Sequence, residues 1–130
     1  MGIIDIVIGN FINVLESKPQ LAGIEFLRAY PAVVKENPLR KVTVSVGMER
    51  MDLQKQSPGV GLTGLLRVRM HVHVPISDGG VTVHQAFSKI ADAIVGSVGG
   101  LQSLGCSGIH YDRPTATIVL QGWVEITVTL

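Results

Sequence analysis

Two histidines one residue apart, His71 and His73, are the strongest candidates for metal chemistry in this sequence. On a strand both side chains would point the same way and could share one zinc ion. Zinc needs a third and usually a fourth ligand, yet His84 falls on a predicted helix and His110 in a different predicted hairpin. We therefore predict no metal site, and we interpret the pair as part of a polar strand face.

Catalytic and cofactor motifs are equally sparse. A hydrolase of the nucleophile-elbow type would carry Gly-x-Ser-x-Gly, which this chain lacks, and the only cysteine, Cys106, lies in Gly-Cys-Ser-Gly. Residues 59–64 match the dinucleotide pattern Gly-x-Gly-x-x-Gly, but a strand follows them where the motif requires a helix. We predict no catalytic residues and no cofactor, and hence a protein that is not an enzyme.

The residues around the histidines alternate strictly between basic and apolar types. Such a pattern is typical of a strand with two different faces, here Val68, Met70, Val72 and Val74 against Arg67, Arg69, His71 and His73. Residues 115–130 alternate in the same way, and a strand of about 16 residues would span roughly 50 Å. A small core does not cover such a strand, which favours assembly with other subunits.

Composition points in the same direction. The 130 residues suit a single domain, 1–130, and 46% are hydrophobic while only 16% are charged. With so few charges a monomer would expose apolar surface, which favours a homo-oligomer. The formal net charge of +1 argues against nucleic acid as the main partner. We expect no membrane-spanning segment, and a single cysteine is typical of a protein made in a reducing cytosol.

The order of elements predicts an α+β fold with the order α-β-β-β-α-β-β. We expect a mostly four-stranded antiparallel sheet with long hairpins and two helices packed on one face. Thr82 and Gln85 have the spacing of a capping box that begins the second helix. The expected elements are a helix over 3–17, a short strand over 24–28, a hairpin of strands 41–48 and 67–74, a helix over 82–98, and a hairpin of strands 107–111 and 115–130.

Ten residues are candidates for oligomer or partner contacts. Trp123 and Glu125 share the strand face opposite the core. Glu125 would pair with an arginine of the Arg/His row if the two strands are neighbours, or with an arginine of another copy. The predicted tip between residues 49 and 64 is too apolar for a freely solvated loop, which favours a docked tip. The candidates are Arg67, Arg69, His71, His73, Met51, Leu53, Val60, Leu62, Trp123 and Glu125.

Taken together, the N-terminal helix, a short strand running into Tyr30-Pro31, a long-tipped hairpin, a helix and a terminal long-strand hairpin resemble the tail terminator, or tail completion, proteins of tailed bacteriophages and phage-derived particles. The resemblance covers nearly the whole chain. It implies a viral structural protein that forms a ring, commonly hexameric, on the head-proximal end of the tail tube. Such a ring ends tube polymerisation and joins the tube to the head.

For this chain the resemblance implies three kinds of partner: further copies, a tail tube protein and a head-tail connector protein. It assigns oligomer contacts to the exposed faces of strands 67–74 and 115–130, and partner contacts to the tip around residues 51–62. DNA would be only passing cargo, and no membrane would be involved. Assembly would occur in the bacterial cytoplasm, and the mature location would be the virion tail or a phage-like particle.

Two alternatives stay open. One is a small α+β ligand-binding or enzymatic domain whose sheet and helix enclose a pocket, with His71, His73 and His110 as its polar groups. The other is a head-tail connector adaptor from the same kind of particle.

Overall fold

The structure, a computed structural model, describes residues 2–28, 39–55, 61–76 and 82–129. It confirms the α+β class and the predicted order of elements. The elements are α1 Ile3–Glu16, a single 3-10 turn Pro19–Leu21, β1 Glu25–Leu27, β2 Thr43–Lys55, β3 Leu62–Pro75, α2 Val83–Ser97, β4 Leu101–Asp112 and β5 Thr117–Thr129.

The strands form a mixed five-stranded sheet in the order β1-β2-β3-β5-β4. The predicted hairpins β2-β3 and β4-β5 are confirmed as antiparallel pairs. The prediction of a mostly four-stranded antiparallel sheet is confirmed only in part: β2, β3, β5 and β4 are antiparallel neighbours, but the short strand β1 adds a fifth strand at the edge and runs parallel to β2. A parallel pair needs a long connection, and the stretch from Arg28 to Val42 supplies the required length.

The β2-β3 hairpin is longer than the sequence predicted. Most of the expected loop over 49–64 is strand, because β2 continues to Lys55, which pairs with Leu62 of β3. A β-bulge between Met48 and Arg50 adds one residue to β2. The extra residue returns Met51 to the core side, and it also breaks the alternation that would have indicated a continuous strand.

Both helices pack on the same face of the sheet, as predicted. The central strand β3 presents a row of buried apolar side chains to this face, namely Leu66, Val68, Met70, Val72 and Val74. Ile8, Phe11 and Leu15 of α1 and Phe87, Ile90 and Ile94 of α2 belong to the same cluster. The apolar rows of the alternating strands therefore form the core, and the basic row of β3 lies on the other side of the sheet.

The start of α2 is fixed by the predicted capping box. Thr82 Oγ1 accepts a hydrogen bond from the backbone N–H of Gln85 at 3.1 Å, and Gln85 Oε1 accepts one from the N–H of Thr82 at 3.1 Å. The helix therefore begins at Val83, one residue after its cap. In the ranges that the structure describes, no helix is long and apolar enough to cross a membrane.

Candidate functional site

The side of the sheet opposite the helices, which we call the polar face, carries the candidate residues of β3 and β5. The antiparallel register brings Arg67 opposite Glu125, Arg69 opposite Trp123 and His71 opposite Gln121. On the other flank, β2 places Ser45 opposite His71. Side chains from three neighbouring strands therefore meet on this face, as their alternation predicted.

Arg67 is the centre of a charged cluster on the polar face. Its Nε donates to Glu49 Oε2 at 2.6 Å, and its Nη1 lies 3.7 Å from Glu125 Oε2. Glu125 Oε1 in turn accepts a hydrogen bond from Ser103 Oγ at 2.6 Å. The predicted pairing of Glu125 with an arginine of the basic row is confirmed within one chain, and the cluster joins strands β2, β3, β5 and β4.

Trp123 is held between this cluster and the neighbouring strand. The Arg67 guanidinium lies 5.0 Å from the centre of the indole ring, a cation–π distance. On β4, a Cβ added to Gly105 would approach Trp123 Cζ2 to 2.4 Å, so only a glycine leaves room for the ring. Trp123 is half-buried by its own chain, and no pattern in the sequence indicates that Gly105 is its neighbour.

An open groove of about 600 Å³ runs beside the Arg67 cluster. It is lined by Glu49, Arg50, Asp52, Leu65, Arg67 and Glu125. Arg50 is itself paired with Asp52, its Nε lying 2.6 Å from Asp52 Oδ2. The charged side chains of the groove thus pair mostly with one another. The groove is therefore better suited to polar contacts with a partner than to strong binding of an ion.

Replacing Arg67 with glutamine is expected to lower the free energy of unfolding by about 1 kcal/mol, because two ion pairs and the indole contact are lost together. Urea denaturation with fluorescence detection of Trp123 measures this change. The matched control is Arg50→Gln, whose arginine side chain is 75% exposed and pairs with one carboxylate. A control effect as large as that of Arg67→Gln would contradict a central role for Arg67.

The end of the polar face around His73 is buried, which corrects the prediction that this whole row faces solvent or a partner. His73 is 3% exposed, and its neighbours Thr43 and Thr117 are equally inaccessible. Leu39 and Val119 are also buried but lie outside the main hydrophobic cluster. Since the Leu39 N–H donates to the carbonyl of Thr115 at 3.0 Å, the approach to β2 is fastened to this end of the sheet.

A chain of hydrogen bonds orients the His73 ring. Thr115 Oγ1 donates to Asp112 Oδ2, lies 2.7 Å from Thr117 Oγ1, and Thr117 Oγ1 lies 3.0 Å from His73 Nδ1. Because the single hydroxyl proton of Thr115 goes to the carboxylate, Thr115 must accept from Thr117, and Thr117 must accept from His73. His73 therefore carries its proton on Nδ1. Its Nε2 is buried and has no hydrogen-bond partner among the described residues.

This environment disfavours the charged form of both strand histidines. Burial lowers the pKa of His73 to about 4; Asp112 opposes the shift, while His71 and His110 add to it. Burial also lowers the pKa of His71, and the positive charge of Arg69 adds to the effect, followed by His110. His110 thus lies near the pair, although the sequence placed it in a separate hairpin. The register explains this, because His73 and His110 both pair with Val119.

Among the described residues the histidines are not part of a metal-binding cluster. Across the described ranges, no three His, Cys, Asp or Glu side chains come together in a way that could hold a metal ion. Thr117, the hydroxyl next to His73, is fully buried. The arrangement fixes strands to one another through buried hydrogen bonds.

The hairpin candidates are only partly covered by their own chain. Met51 packs against the core, and Leu53 is half-buried. Leu62 and Leu65 are each 37% exposed, so the chain itself leaves part of both apolar side chains uncovered, and docking of the tip on a partner stays a prediction. Val60 lies outside the described residues.

The clearest unpartnered surface, missed by the sequence reasoning, is the edge strand β4. It pairs only with β5 in the described part of the chain, and it has no charged residue between Leu101 and Tyr111. Ile109 and Tyr111 are 50% and 52% exposed, and Ile76 nearby is 58% exposed. Ile76 and Ile109 line an apolar groove of about 450 Å³, together with Val74, Pro75, Thr82, Val83, His84 and Ile118.

We call this region, β4 with Ile76, the apolar edge. Strand edges normally carry lysine, proline or a covering segment that prevents pairing with another chain. The described part of β4 contains neither lysine nor proline, although bulges at residues 101–103 and 106–109 interrupt its ladder. The run without charge was the signal in the sequence that could have indicated such an edge.

Comparison with known proteins adds no family to these observations: no protein-family model matches the chain, and no characterised protein matches it significantly.

Proposed function

We propose that this protein is a structural subunit of a phage or phage-like tail. In this proposal it assembles as a ring, hexameric by resemblance, that caps the tail tube, ends tube polymerisation and joins the tube to the head connector. Its partners are copies of itself, the tube protein and the connector, and its place is the virion tail. The ring is held by contacts between subunits and needs no enzymatic chemistry.

The observation that carries the proposal is the apolar edge. An exposed strand edge with two large apolar side chains and an adjoining apolar groove is a surface typical of protein–protein contact. The regular segment Ile109–Asp112 follows the bulge and offers backbone N–H and C=O groups for pairing. A second copy that covers Ile109, Tyr111 and Ile76 would remove this apolar surface from water.

The other edge of the sheet, formed by β1 and β2, supports head-to-tail assembly. There β1 pairs only with Thr43–Ser45, so β2 from Val46 to Lys55 has a described partner on one side alone. The open edge of β4 and the open edge of β2 face opposite ends of the strand order, and they differ from each other. Contact between unlike edges of successive copies is a heterologous interface, which closes into a ring when the rotation between copies permits it.

Light scattering and negative-stain electron microscopy of the purified protein test this proposal. We expect an oligomer seen as a ring with a central hole. Ile109→Lys combined with Tyr111→Lys should shift the protein to monomers and leave the free energy of unfolding within about 0.5 kcal/mol of the parent monomer, because both positions are surface sites.

Ser107→Lys is the matched control, since it adds a charge to an exposed position of β4 without removing an apolar side chain. We expect it to preserve the ring. A protein that is monomeric at high concentration and also fails to cap tail tubes in the microscope would contradict the proposal. Oligomers that persist in the double variant would show that another surface holds them.

A further inference from the structure

A small basic hollow lies near the helices, away from the polar face and from the apolar edge. It has a volume of about 250 Å³ and is lined by Gln20, Ala22, Gly23, Ile24, Arg40, Lys41, Val42, Ala86 and Lys89. Three separate parts of the chain meet there: the turn after Pro19–Leu21, the approach to β2, and α2. None of the lining residues is acidic.

The hollow combines a basic rim with an apolar floor. Its cations are Arg40, Lys41 and Lys89, all of them exposed, whereas Ala86 is buried and Ile24 and Val42 are half-buried. Three positive charges around one small hollow repel each other, and an anion bound between them relieves that repulsion. The rim therefore favours a ligand with a negative group, and the floor favours a ligand that carries apolar atoms next to that group.

Two of the rim cations are available for such a group. Arg40 and Lys89 form no ion pair with any carboxylate in the described ranges. Lys41 lies 3.7 Å from Glu25 Oε2, yet its side chain is 60% exposed. The Glu25 contact shows that a carboxylate reaches this rim, and it also places Glu25 in competition with any anion that enters.

We propose that the hollow binds a carboxylate-bearing peptide segment of a partner protein. A glutamate fits the chemistry, because its methylene groups would lie on the apolar floor while its carboxylate meets the rim. A nucleic-acid backbone fits less well, since it presents a repeating row of phosphates and the chain as a whole carries a net charge of only +1. This proposal does not depend on the proposed tail function.

The test is an NMR titration of the ¹⁵N-labelled protein with the peptide acetyl-Leu-Glu-Leu-Glu-amide. We expect saturable shifts at the amides of Gly23, Lys41 and Lys89, and weaker binding as NaCl is added. The peptide with glutamine in place of glutamate is the ligand control. A short thymidine oligonucleotide tests the nucleic-acid alternative.

Variants that should weaken peptide binding are compared with one that should strengthen it. Lys89→Gln and Arg40→Gln should each weaken binding about two- to five-fold, the range of an exposed ion pair, whereas Glu25→Gln should strengthen it by about the same factor. Lys55→Gln, an exposed lysine at the end of β2, should change nothing. Spectra outside the hollow report whether each variant is folded.

Three results would overturn the proposal: no saturable shift with the acidic peptide, equal binding of the glutamine peptide, or tighter binding of the oligonucleotide. Unchanged affinity in both Lys89→Gln and Arg40→Gln would place the peptide elsewhere and overturn it as well.

Discussion

Replacing Gly122 with valine is expected to lower the free energy of unfolding by about 3 kcal/mol, at the upper end of the usual cost of overpacking a core. Gly122 lies in β5 opposite Met70, where the ring of Phe87 from α2 rests on bare backbone. A Cβ at this position would lie 2.6 Å from Phe87 Cε1 and 3.4 Å from the carbonyl oxygen of Gly105. The Phe87 ring would have to shift from its place against β5, and denaturant unfolding measures the cost.

The control is Gly108→Val in β4. A Cβ added there meets no heavy atom within 4 Å, so we expect the free energy of unfolding to change by less than about 0.5 kcal/mol. Phe87→Ala combined with Gly122→Val supplies the second test. The double variant should be more stable than the sum of the single effects predicts, because the smaller side chain vacates the space that valine needs. Strict additivity would show that the two residues do not compete for space.

The parts of the fold that local chemistry decides could be predicted from the sequence. Thr82 and Gln85 locate the start of α2 through their own hydrogen bonds, so their spacing is sufficient. Alternation assigns each side chain of β3 to a face, because a strand has a side-chain period of two. The pairing of Arg67 with Glu125 followed from these faces once the two strands were assumed to be neighbours.

The parts that depend on distant segments could not be predicted. The bulge after Met48 shifts the alternation of apolar and polar residues by one position. The alternation therefore predicted that β2 ends near Met48, whereas the strand continues past the bulge. In β4 two bulges hide the period altogether, and the strand therefore looked like a short segment. The hydrogen bond between Leu39 and Thr115 fastens the approach to β2 to the end of the sheet where His73 is buried, and no local pattern in the sequence brings those two residues together.

The stability of the protein should fall between about pH 6.5 and pH 4 through His73. Its pKa is lowered from 6.5 to about 4 by burial, so in this range the unfolded chain binds a proton that the folded chain excludes. The contribution of His73 to the free energy of unfolding is therefore fully present above pH 6.5 and is lost as the pH falls toward 4. A shift of this size corresponds to about 3 kcal/mol of unfolding free energy.

The hydrogen-bond chain explains why the folded protein resists this proton. Nδ1 of His73 already donates to Thr117, so a second proton must go to Nε2, which is buried and finds no acceptor in the part of the chain that the structure describes. Protonation would create a buried charge and a buried donor with no acceptor, and both are costly. The nearby Asp112 offsets only part of this cost, since its carboxylate already accepts from Thr115.

His73→Gln isolates the effect, because glutamine keeps a polar group near Thr117 and does not titrate. Urea denaturation at a series of pH values from 7.5 down to about 4 should show wild type losing about 3 kcal/mol relative to the variant. His84→Gln, an exposed histidine at the start of α2, is the control and should leave the wild-type profile unchanged. Wild type and His73→Gln share every other titratable group, so the difference between their profiles reports the loss of His73 together with its interactions with Asp112, His71 and His110. Parallel profiles for wild type and His73→Gln would mean that His73 takes up its proton equally in the folded and unfolded chain, against the burial and bonding of its ring.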